Sequence, residues 1–184
     1  MTPNLPRADC AGDCSHPEVA RRDFLFGAGA ALLVVSIPGV GVAQGKRADY
    51  PKKKVALLSK LKKGEPVVFR YPWDHANCES VLLKLGRVAG GGIGPDKDVV
   101  AFNGLCPHMG WALPAKAFRA DPGIAGPCAG HLTAFDLTRH GTVVSGHATQ
   151  GLPQVVLELD GDDILAVGVL GLLFGFHDNR AEPK

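Results

Sequence analysis

Two short segments of this chain each combine one cysteine with one histidine. Cys106 and His108 are separated by a single residue, and Cys128 and His131 by two. Thiolates are the usual ligands of iron–sulfur clusters, and in one class of [2Fe-2S] centre two imidazoles replace the thiolates on one iron, which raises the reduction potential. The four residues therefore predict one [2Fe-2S] cluster per chain and an electron-carrying role.

A structural zinc site is the main alternative for the same four residues. Zinc also accepts two cysteines and two histidines in a tetrahedral arrangement. Zinc fingers, however, usually place both cysteines before both histidines, whereas here each segment carries one residue of each kind. We therefore favour the cluster. Iron content and visible absorption distinguish the two sites, because zinc is colourless.

The composition limits the remaining possibilities. The chain has 184 residues, enough for one domain and a short appendage, and 46% of them are hydrophobic. Its 24 glycines and 14 prolines favour turns and short strands over long helices. A net charge of +2 gives no support for nucleic-acid binding. One basic run, interpreted as a solvated lead-in to the domain, contains Lys52, Lys53, Lys54, Lys60, Lys62 and Lys63.

Residues 1–45 are typical of a twin-arginine export signal. Arg21 and Arg22 precede a weakly hydrophobic run, rich in glycine and alanine, that ends in small residues. We expect cleavage near Ala43 and export of the folded protein to the periplasm. Membrane association through an uncleaved leader is the alternative, although the run is barely long enough to span a bilayer and Pro38 interrupts it.

Residues 46–184 are expected to form one all-β domain of antiparallel strands, with the metal-binding loops, about 103–136, as an inserted subdomain. Residues 160–163 predict a hairpin turn, and the glycine-rich segment 89–95 predicts a flexible turn. The segment 44–61 fits either an irregular lead-in or a short helix. Strands are expected over 66–71, 80–85, 98–102, 132–137, 142–145, 154–159 and 164–169.

The cysteine count agrees with a metal site. Cys10 and Cys14 precede the apolar run and are expected to leave with the leader. Of the remaining three, Cys106 and Cys128 are assigned to the metal, so Cys78 has no partner within the chain. An apolar stretch follows Cys78, and we expect this thiol to be buried and inert.

Longer strings of residues resemble a known family. The segments 105–110 and 128–131 resemble the cluster-binding motifs of Rieske proteins. The segments 146–153 and 171–175 narrow the resemblance to the small subunit of arsenite oxidase, over about 67–175, and iodate reductase small subunits look similar.

This resemblance implies an all-β Rieske fold, with antiparallel β-sheets and a cluster-binding subdomain. It implies a Rieske-type [2Fe-2S] cluster in the small electron-transfer subunit of an oxidoreductase. Electrons would come from a molybdopterin-containing large subunit that oxidises arsenite, and would leave for a periplasmic c-type cytochrome or an azurin-like copper protein. No small-molecule substrate would bind this chain. The alternatives are the Rieske subunit of a related molybdoenzyme, such as iodate reductase, or of a quinol–cytochrome c oxidoreductase.

The resemblance also assigns roles to individual residues. Cys106 and Cys128 would ligate the buried iron, and His108 and His131 the outer iron through one ring nitrogen each. His147 lies in a string near the cluster in the family, which would allow it a supporting role. The other histidines of the expected domain are interpreted as surface residues: His75, His140 and His177.

The chain departs from many Rieske proteins beside these ligands. Where those proteins carry a disulfide beneath the cluster, this chain has Trp111 and Gly130, and we expect the Trp111 ring to fill the space that Gly130 leaves open. Where high-potential members carry a serine and a tyrosine, it has Thr133 and Phe135. Because Phe135 has no hydroxyl to donate to sulfur, we predict a potential below that of quinol-oxidising Rieske proteins and above that of all-cysteine ferredoxins.

Overall fold

The computed structural model describes residues 49–182. Within this range the chain forms ten β-strands in two sheets, and the paired strands in each sheet are antiparallel. This confirms the predicted all-β class. The leader predicted over 1–45, with its cleavage near Ala43, lies outside the described residues. The described part of the chain contains no helix long and apolar enough to cross a membrane.

The larger sheet has six strands in the order β1-β10-β9-β4-β3-β2, and the smaller sheet has four in the order β5-β6-β7-β8. The larger sheet contains β1 (Lys53–Leu57), β2 (Val67–Arg70), β3 (Glu79–Lys84), β4 (Val99–Asn103), β9 (Gln154–Asp160) and β10 (Asp163–Leu170). The smaller sheet contains β5 (Phe118–Arg119), β6 (Ile124–Ala125), β7 (Ala134–Asp136) and β8 (Thr142–Ser145). Single turns of 3-10 helix occupy Leu58–Lys60, Ala76–Cys78 and Ala115–Ala117.

The central parts of strands β3 and β4 are apolar because both of their faces are buried. Successive side chains of a strand point to opposite faces, and here they enter two different apolar clusters. Leu82 and Ala101 pack in one cluster with Tyr71. Val81 and Phe102 pack in the other, which also contains the two cysteines of the predicted metal site. The larger sheet thus supports that site from one side.

The expected hairpin turn at 160–163 is confirmed. Asp160 pairs with Asp163, and Gly161 takes a φ of +60° in the two-residue turn between β9 and β10. A positive φ at this point suits glycine and matches the twist of a tight hairpin.

The segment preceding β2 differs from the expectation. Lys53–Leu57 is neither irregular nor helical but forms β1, an edge strand that pairs with β10. Its two lysines are exposed, as expected for a solvated segment. Lys54 Nζ forms an ion pair with Asp163 Oδ1 at 2.7 Å, and Lys53 Nζ donates to the carbonyl of Arg70 at 2.9 Å. The strand forms because β10 offers a free edge, which local sequence does not reveal.

The glycine-rich turn at 89–95 is tied to its surroundings rather than loose. The Gly90 N–H donates to the carbonyl of Thr138, and Gln154 Nε2 donates to the carbonyl of Gly90, both at 2.8 Å. A Cβ on Gly92 would overlap the backbone of Lys97. These glycines therefore permit close packing, and the expected flexibility has no support in this geometry.

The smaller sheet was only partly anticipated by the sequence pattern. The two-residue strands β5 and β6 were not predicted, and β7 is shorter than the expected 132–137. Strands this short carry too little alternation to be recognised, and their pairing depends on the loops between them.

Candidate metal centre

The structure places the four predicted metal ligands on two loops, with the two thiols adjacent and the two imidazoles adjacent. Cys106 and His108 lie on the first metal loop (residues 105–111), which follows β4, and Cys128 and His131 lie on the second metal loop (residues 128–133), between β6 and β7. The imidazole centroids of the two histidines are 4.7 Å apart, with their planes at 80°. Both thiols are buried, whereas one imidazole is half-buried and the other exposed.

The two metal loops close with the same backbone hydrogen bonds. The Cys106 N–H donates to the carbonyl of Trp111 and the Gly110 N–H returns to the carbonyl of Cys106, both at 2.8 Å. In the second loop, Cys128 donates to Thr133 at 2.8 Å and Leu132 returns to Cys128 at 2.9 Å. Each loop thus places its cysteine at the start of a tight turn and its histidine within that turn, closer to solvent.

The surroundings of Cys106 suit a metal-bound sulfur. Burial raises the pKa of the Cys106 thiol, and the adjacent Cys128 thiol raises it further. The backbone N–H groups of His108 and Met109 act in the opposite direction by donating to the Cys106 sulfur. Such donors stabilise the thiolate, which is the form that ligates iron. Cys106 and Cys128 are both free of disulfide bonds.

This donor set fits a two-iron group. Within residues 49–182 no group of three or more His, Cys, Asp or Glu side chains is placed to hold a single ion. The predicted donors form a buried pair of sulfurs and an outer pair of imidazoles, and two protein ligands for each metal is what a dinuclear cluster of this type requires. Soft sulfur on one side and imidazole on the other is the donor set of a Rieske centre.

A third imidazole lies beside the predicted ligands. The His147 ring is stacked near that of His108, with centroids 5.9 Å apart, and its centroid lies 6.1 Å from that of His131. The backbone N–H of His147 donates to Thr133 Oγ1 at 3.1 Å. A Cβ on Gly146 would overlap the Thr133 backbone, so glycine permits this close approach. The string that includes His147 therefore lies at the site, as the resemblance implied.

Thr133 and Phe135 are both fully buried. Thr133 Oγ1 accepts the His147 N–H, which orients its hydroxyl. Phe135 packs in the same apolar cluster as Cys106 and Cys128. These two side chains therefore occupy the inner side of the site, where hydrogen bonds to sulfur would affect the potential.

Trp111 packs against Gly130, as the sequence predicts. A Cβ on Gly130 would lie 2.9 Å from Trp111 Cδ1 and 3.0 Å from Cγ and Nε1. The indole remains half-exposed, so it covers the glycine from the solvent side. The ring thus contacts the second metal loop at the position where the resemblance places a disulfide in many Rieske proteins.

The remaining cysteine and histidines give a mixed result. Cys78 is fully buried, as expected, and burial raises the pKa of its thiol. His140 and His177 are exposed. His75, expected at the surface, is half-buried because its ring packs edge-on against Phe176 and its Nδ1 accepts the Asn77 N–H at 3.1 Å.

Two residues that support the first metal loop were missed at the level of sequence. Asn103, fully buried at the end of β4, accepts the Leu105 N–H through Oδ1 at 3.0 Å. The Phe174 ring lies against Gly110. Segment 171–175 contributes to the resemblance in the sequence analysis, but its residues do not indicate what Phe174 contacts.

Comparison with solved structures identifies the class. The chain resembles the soluble domain of Rieske protein II (soxF) from Sulfolobus acidocaldarius, with a TM-score of 0.56 and 24% identity, over 73% of this chain and 84% of that one. The fold is therefore the Rieske fold, as predicted, and the cofactor of this protein class is the Rieske-type [2Fe-2S] cluster.

Comparison with curated proteins identifies the family. Over 165 residues the chain is 54% identical to iodate reductase subunit IdrB of Denitromonas iodatirespirans, covering 89% of this chain and 88% of that protein. It is 51% identical over 184 residues to iodate reductase subunit IdrB of Pseudomonas sp. (strain SCT), covering 97% and 94%. The chain belongs to this family of iodate reductase subunits. A search of family models found no match.

These relatives confirm one part of the predicted resemblance and leave another unsupported. The Rieske assignment and the role as a subunit of an oxidoreductase hold. The narrower assignment to arsenite oxidase is not supported, since the relatives carry the name of the alternative, iodate reductase. The motifs that suggested arsenite oxidase surround the metal centre, and a metal centre does not encode the substrate of a partner subunit.

Proposed function

We propose that this chain is the Rieske electron-transfer subunit of an iodate reductase, working with a molybdopterin-containing large subunit. Identity of 54% and 51% to two iodate reductase subunits, over nearly the whole chain, is the observation that carries the proposal. It replaces arsenite with iodate as the substrate class, while keeping the predicted small subunit and its partner.

Four residues would hold the cluster. Cys106 and Cys128 would ligate the inner iron as thiolates, and His108 and His131 the outer iron through one nitrogen each. The burial of both sulfurs and the greater exposure of both imidazoles support this division. When bound, the cluster supplies a site that accepts and releases one electron at a time.

The protein surroundings would control access to that site. The apolar cluster around Cys106 and Cys128 keeps water away from the sulfurs. The exposed edge of His131 offers a short route for the electron to a docked partner. His147, beside both imidazoles, would narrow the approach to them.

Iodate as the substrate reverses the direction of electron flow that arsenite oxidation requires. Reducing iodate to iodide consumes six electrons and six protons and releases three water molecules. This chain would therefore receive electrons one at a time from a periplasmic c-type cytochrome or an azurin-like copper protein and pass them to the large subunit. Iodate would bind only on the large subunit.

We also propose that the protein acts in the periplasm after folded export. Arg21 and Arg22 before the apolar run support this. Replacing both with lysine should leave the protein in the cytoplasm, and cell fractionation measures this. Unchanged periplasmic delivery of the double variant would contradict the export route.

The substrate can be tested on the complex purified with this chain. Iodate added to the dithionite-reduced, desalted complex should reoxidise the cluster, and arsenite added to the oxidised complex should leave its visible spectrum unchanged. The chain without its partner should respond much more slowly to iodate, since the proposed reaction site is absent. Molybdenum should be present in the complex.

The opposite pattern would restore the arsenite assignment. Reduction of the cluster by arsenite, with no reoxidation by iodate, would show an arsenite-oxidising partner. A complex without molybdenum would contradict the proposed large subunit and favour another electron-transfer assembly.

A further inference from the structure

The segment 171–179, here called the strap, follows β10 and is closed on itself by one buried residue. Asn179 Oδ1 accepts the Leu173 N–H at 2.9 Å, and Asn179 Nδ2 donates to the carbonyl of Gly171 at 2.8 Å. The carbonyl of Asn179 accepts Trp73 Nε1 at 2.9 Å, which fastens the strap to the loop after β2. Because three hydrogen bonds are made by this one buried asparagine, the strap has a defined conformation.

Phe174 is the point where the strap contacts the first metal loop. A Cβ on Gly110 would overlap the Phe174 ring, so the ring edge lies directly on the Gly110 backbone. The Gly110 N–H is bonded to the carbonyl of Cys106 at 2.8 Å. The ring therefore packs on the turn that presents Cys106 and His108.

A series of hydrogen bonds joins the strap to the start of the same loop. Asn77 Nδ2 donates to the carbonyl of Phe174 at 3.1 Å, and the carbonyl of Asn77 accepts Asn103 Nδ2 at 2.9 Å. Asn103 Oδ1 in turn accepts the Leu105 N–H at 3.0 Å. The first metal loop is thus held at its start by Asn103 and near its end by Phe174, and Asn77 connects the two.

We propose that Phe174 is a positioning residue for the first metal loop, acting through Gly110 to hold Cys106 and His108 in place for the cluster. The inference rests on the proposed function, since it concerns the same metal site. A contact made only when the loop is closed stabilises the closed loop over its local openings. The strap supplies this restraint by packing, in a protein whose loops are not joined by a disulfide at Trp111.

The test compares Phe174→Ala with Leu172→Ala in the full chain. Leu172 is a matched control, because it lies in the same strap and is 42% exposed against 37% for Phe174, yet the Gly110 contact belongs to Phe174. Hydrogen exchange, followed by mass spectrometry of peptides covering each metal loop, measures the exchange rate of the backbone amides and so the local opening of each loop. The second loop serves as an internal control.

Phe174→Ala should accelerate exchange in the first metal loop by about tenfold or more and leave the second loop unchanged. Leu172→Ala should change neither loop. In the iron-loaded protein, Phe174→Ala should broaden the electron paramagnetic resonance of the reduced cluster, and Phe174→Tyr, which keeps the ring, should restore the wild-type line shape. If Phe174→Ala does not fold, Phe174→Leu should show a smaller acceleration confined to the same loop.

Equal first-loop exchange in wild type and the Phe174 variants would overturn the positioning role. Equal acceleration of both loops would also overturn it, because this result indicates general destabilisation. The iron content of each sample separates the two claims. A wild-type chain without iron contradicts the proposed function, whereas iron-loaded wild type with unaltered loop exchange in Phe174→Ala contradicts the role of Phe174 alone.

Discussion

The two metal loops share one backbone design but differ in what holds them. In both, the fourth residue after the cysteine takes a left-handed conformation, Gly110 at φ +72° and Leu132 at φ +58°. Gly110 has no side chain, and the Phe174 ring occupies the space above it. Leu132 keeps a side chain that is 68% exposed. The turn of the first loop is therefore stabilised by packing of the Phe174 ring. The turn of the second loop bears some backbone strain and leaves the Leu132 side chain exposed.

Different residues therefore hold the two metal loops in place. The first metal loop is held by the distant Phe174 ring of the strap and, at its start, by Asn103 Oδ1, which accepts the Leu105 N–H. The second metal loop is held through Thr133, whose carbonyl accepts the Cys128 N–H and whose hydroxyl accepts the backbone N–H of His147. Both loops present an exposed apolar side chain to solvent, Met109 on the first, at 58% exposure, and Leu132 on the second, at 68%.

Loss of either cysteine should have the largest effect and should be equal in the two loops. Cys106→Ser and Cys128→Ser each remove half of the thiolate ligands of the inner iron, so iron content should fall by at least about tenfold. Cys78→Ala is the control and should retain iron, because this buried thiol lies outside the site. Iron analysis of the purified variants measures the effect. A serine variant that kept full iron would remove that cysteine from the ligand set.

Adding a methyl group to a glycine should distinguish the two loops. Gly110→Ala combines left-handed strain with overlap on the Phe174 ring, and should cost about 3 kcal/mol of unfolding free energy. Gly130→Ala should cost about 1 kcal/mol, since Gly130 lies outside the left-handed region and the half-exposed Trp111 ring has room to move. Urea denaturation of both variants gives the comparison. Equal costs would contradict both the backbone strain and the ring overlap at Gly110.

Thr133 and Phe135, on the inner side of the metal site, should control the potential. Phe135→Tyr would add a hydroxyl next to the sulfurs and should raise the reduction potential by about 30–60 mV, if one hydrogen bond of about 1 kcal/mol favours the reduced state. Thr133→Val, which removes the hydroxyl already present, should lower it. Redox titration measures both. A tyrosine variant with an unchanged or lower potential would refute the explanation based on the missing donor.

Relieving the strain at Leu132 should have a smaller effect of opposite sign. Leu132→Gly removes the left-handed penalty of about 1–2 kcal/mol but increases the freedom of the unfolded chain, so the net gain in unfolding free energy should be at most about 1 kcal/mol. Thermal and urea unfolding measure it. A clear loss of stability would mean that the Leu132 side chain makes a contact that matters within this chain.

Acid should weaken the strap only slightly. Hydrogen bonds from the Arg180 side chain and N–H lower the pKa of Asp178 to about 2, from an ordinary value of 3.8. A depressed pKa stabilises the folded state above the unfolded value, and this contribution is lost as the pH falls from about 4 through about 2. Arg180→Gln should raise the pKa of Asp178 toward its ordinary value in an NMR titration. An unshifted pKa would show that the pair is unimportant.

Much of the fold follows from local pattern, and the exceptions have physical reasons. Strands such as Thr142–Ser145 are rich in β-branched residues, and the turn at Gly161 carries its own turn chemistry. β1 (Lys53–Leu57) lacks such a signal, because a lysine-rich segment becomes a strand only where β10 offers an edge. The two-residue strands of the smaller sheet depend on pairing that no local pattern specifies.

The site shows the same division between local and distant information. The sequence predicts the four ligand candidates because their chemistry is local and their spacing is unusual: Cys106, His108, Cys128 and His131. The role of Phe174 could not be predicted, because it arises from a contact with the distant Gly110. Asn103 was not identified either, because its amide group is anchored by the distant carbonyls of Asn77 and Glu79. The substrate of the complex could not be predicted from this sequence either, since no residue of this chain is expected to contact it.

The central claim is that one cluster is held by two cysteines and two histidines from these two loops. Electron–nuclear double resonance on the reduced, iron-counted protein tests it most directly. We predict two irons per chain and strong nitrogen couplings from two imidazoles, one of which disappears in His131→Cys if iron is retained. Iron with no nitrogen coupling, or a folded protein that binds zinc and no iron, would contradict it.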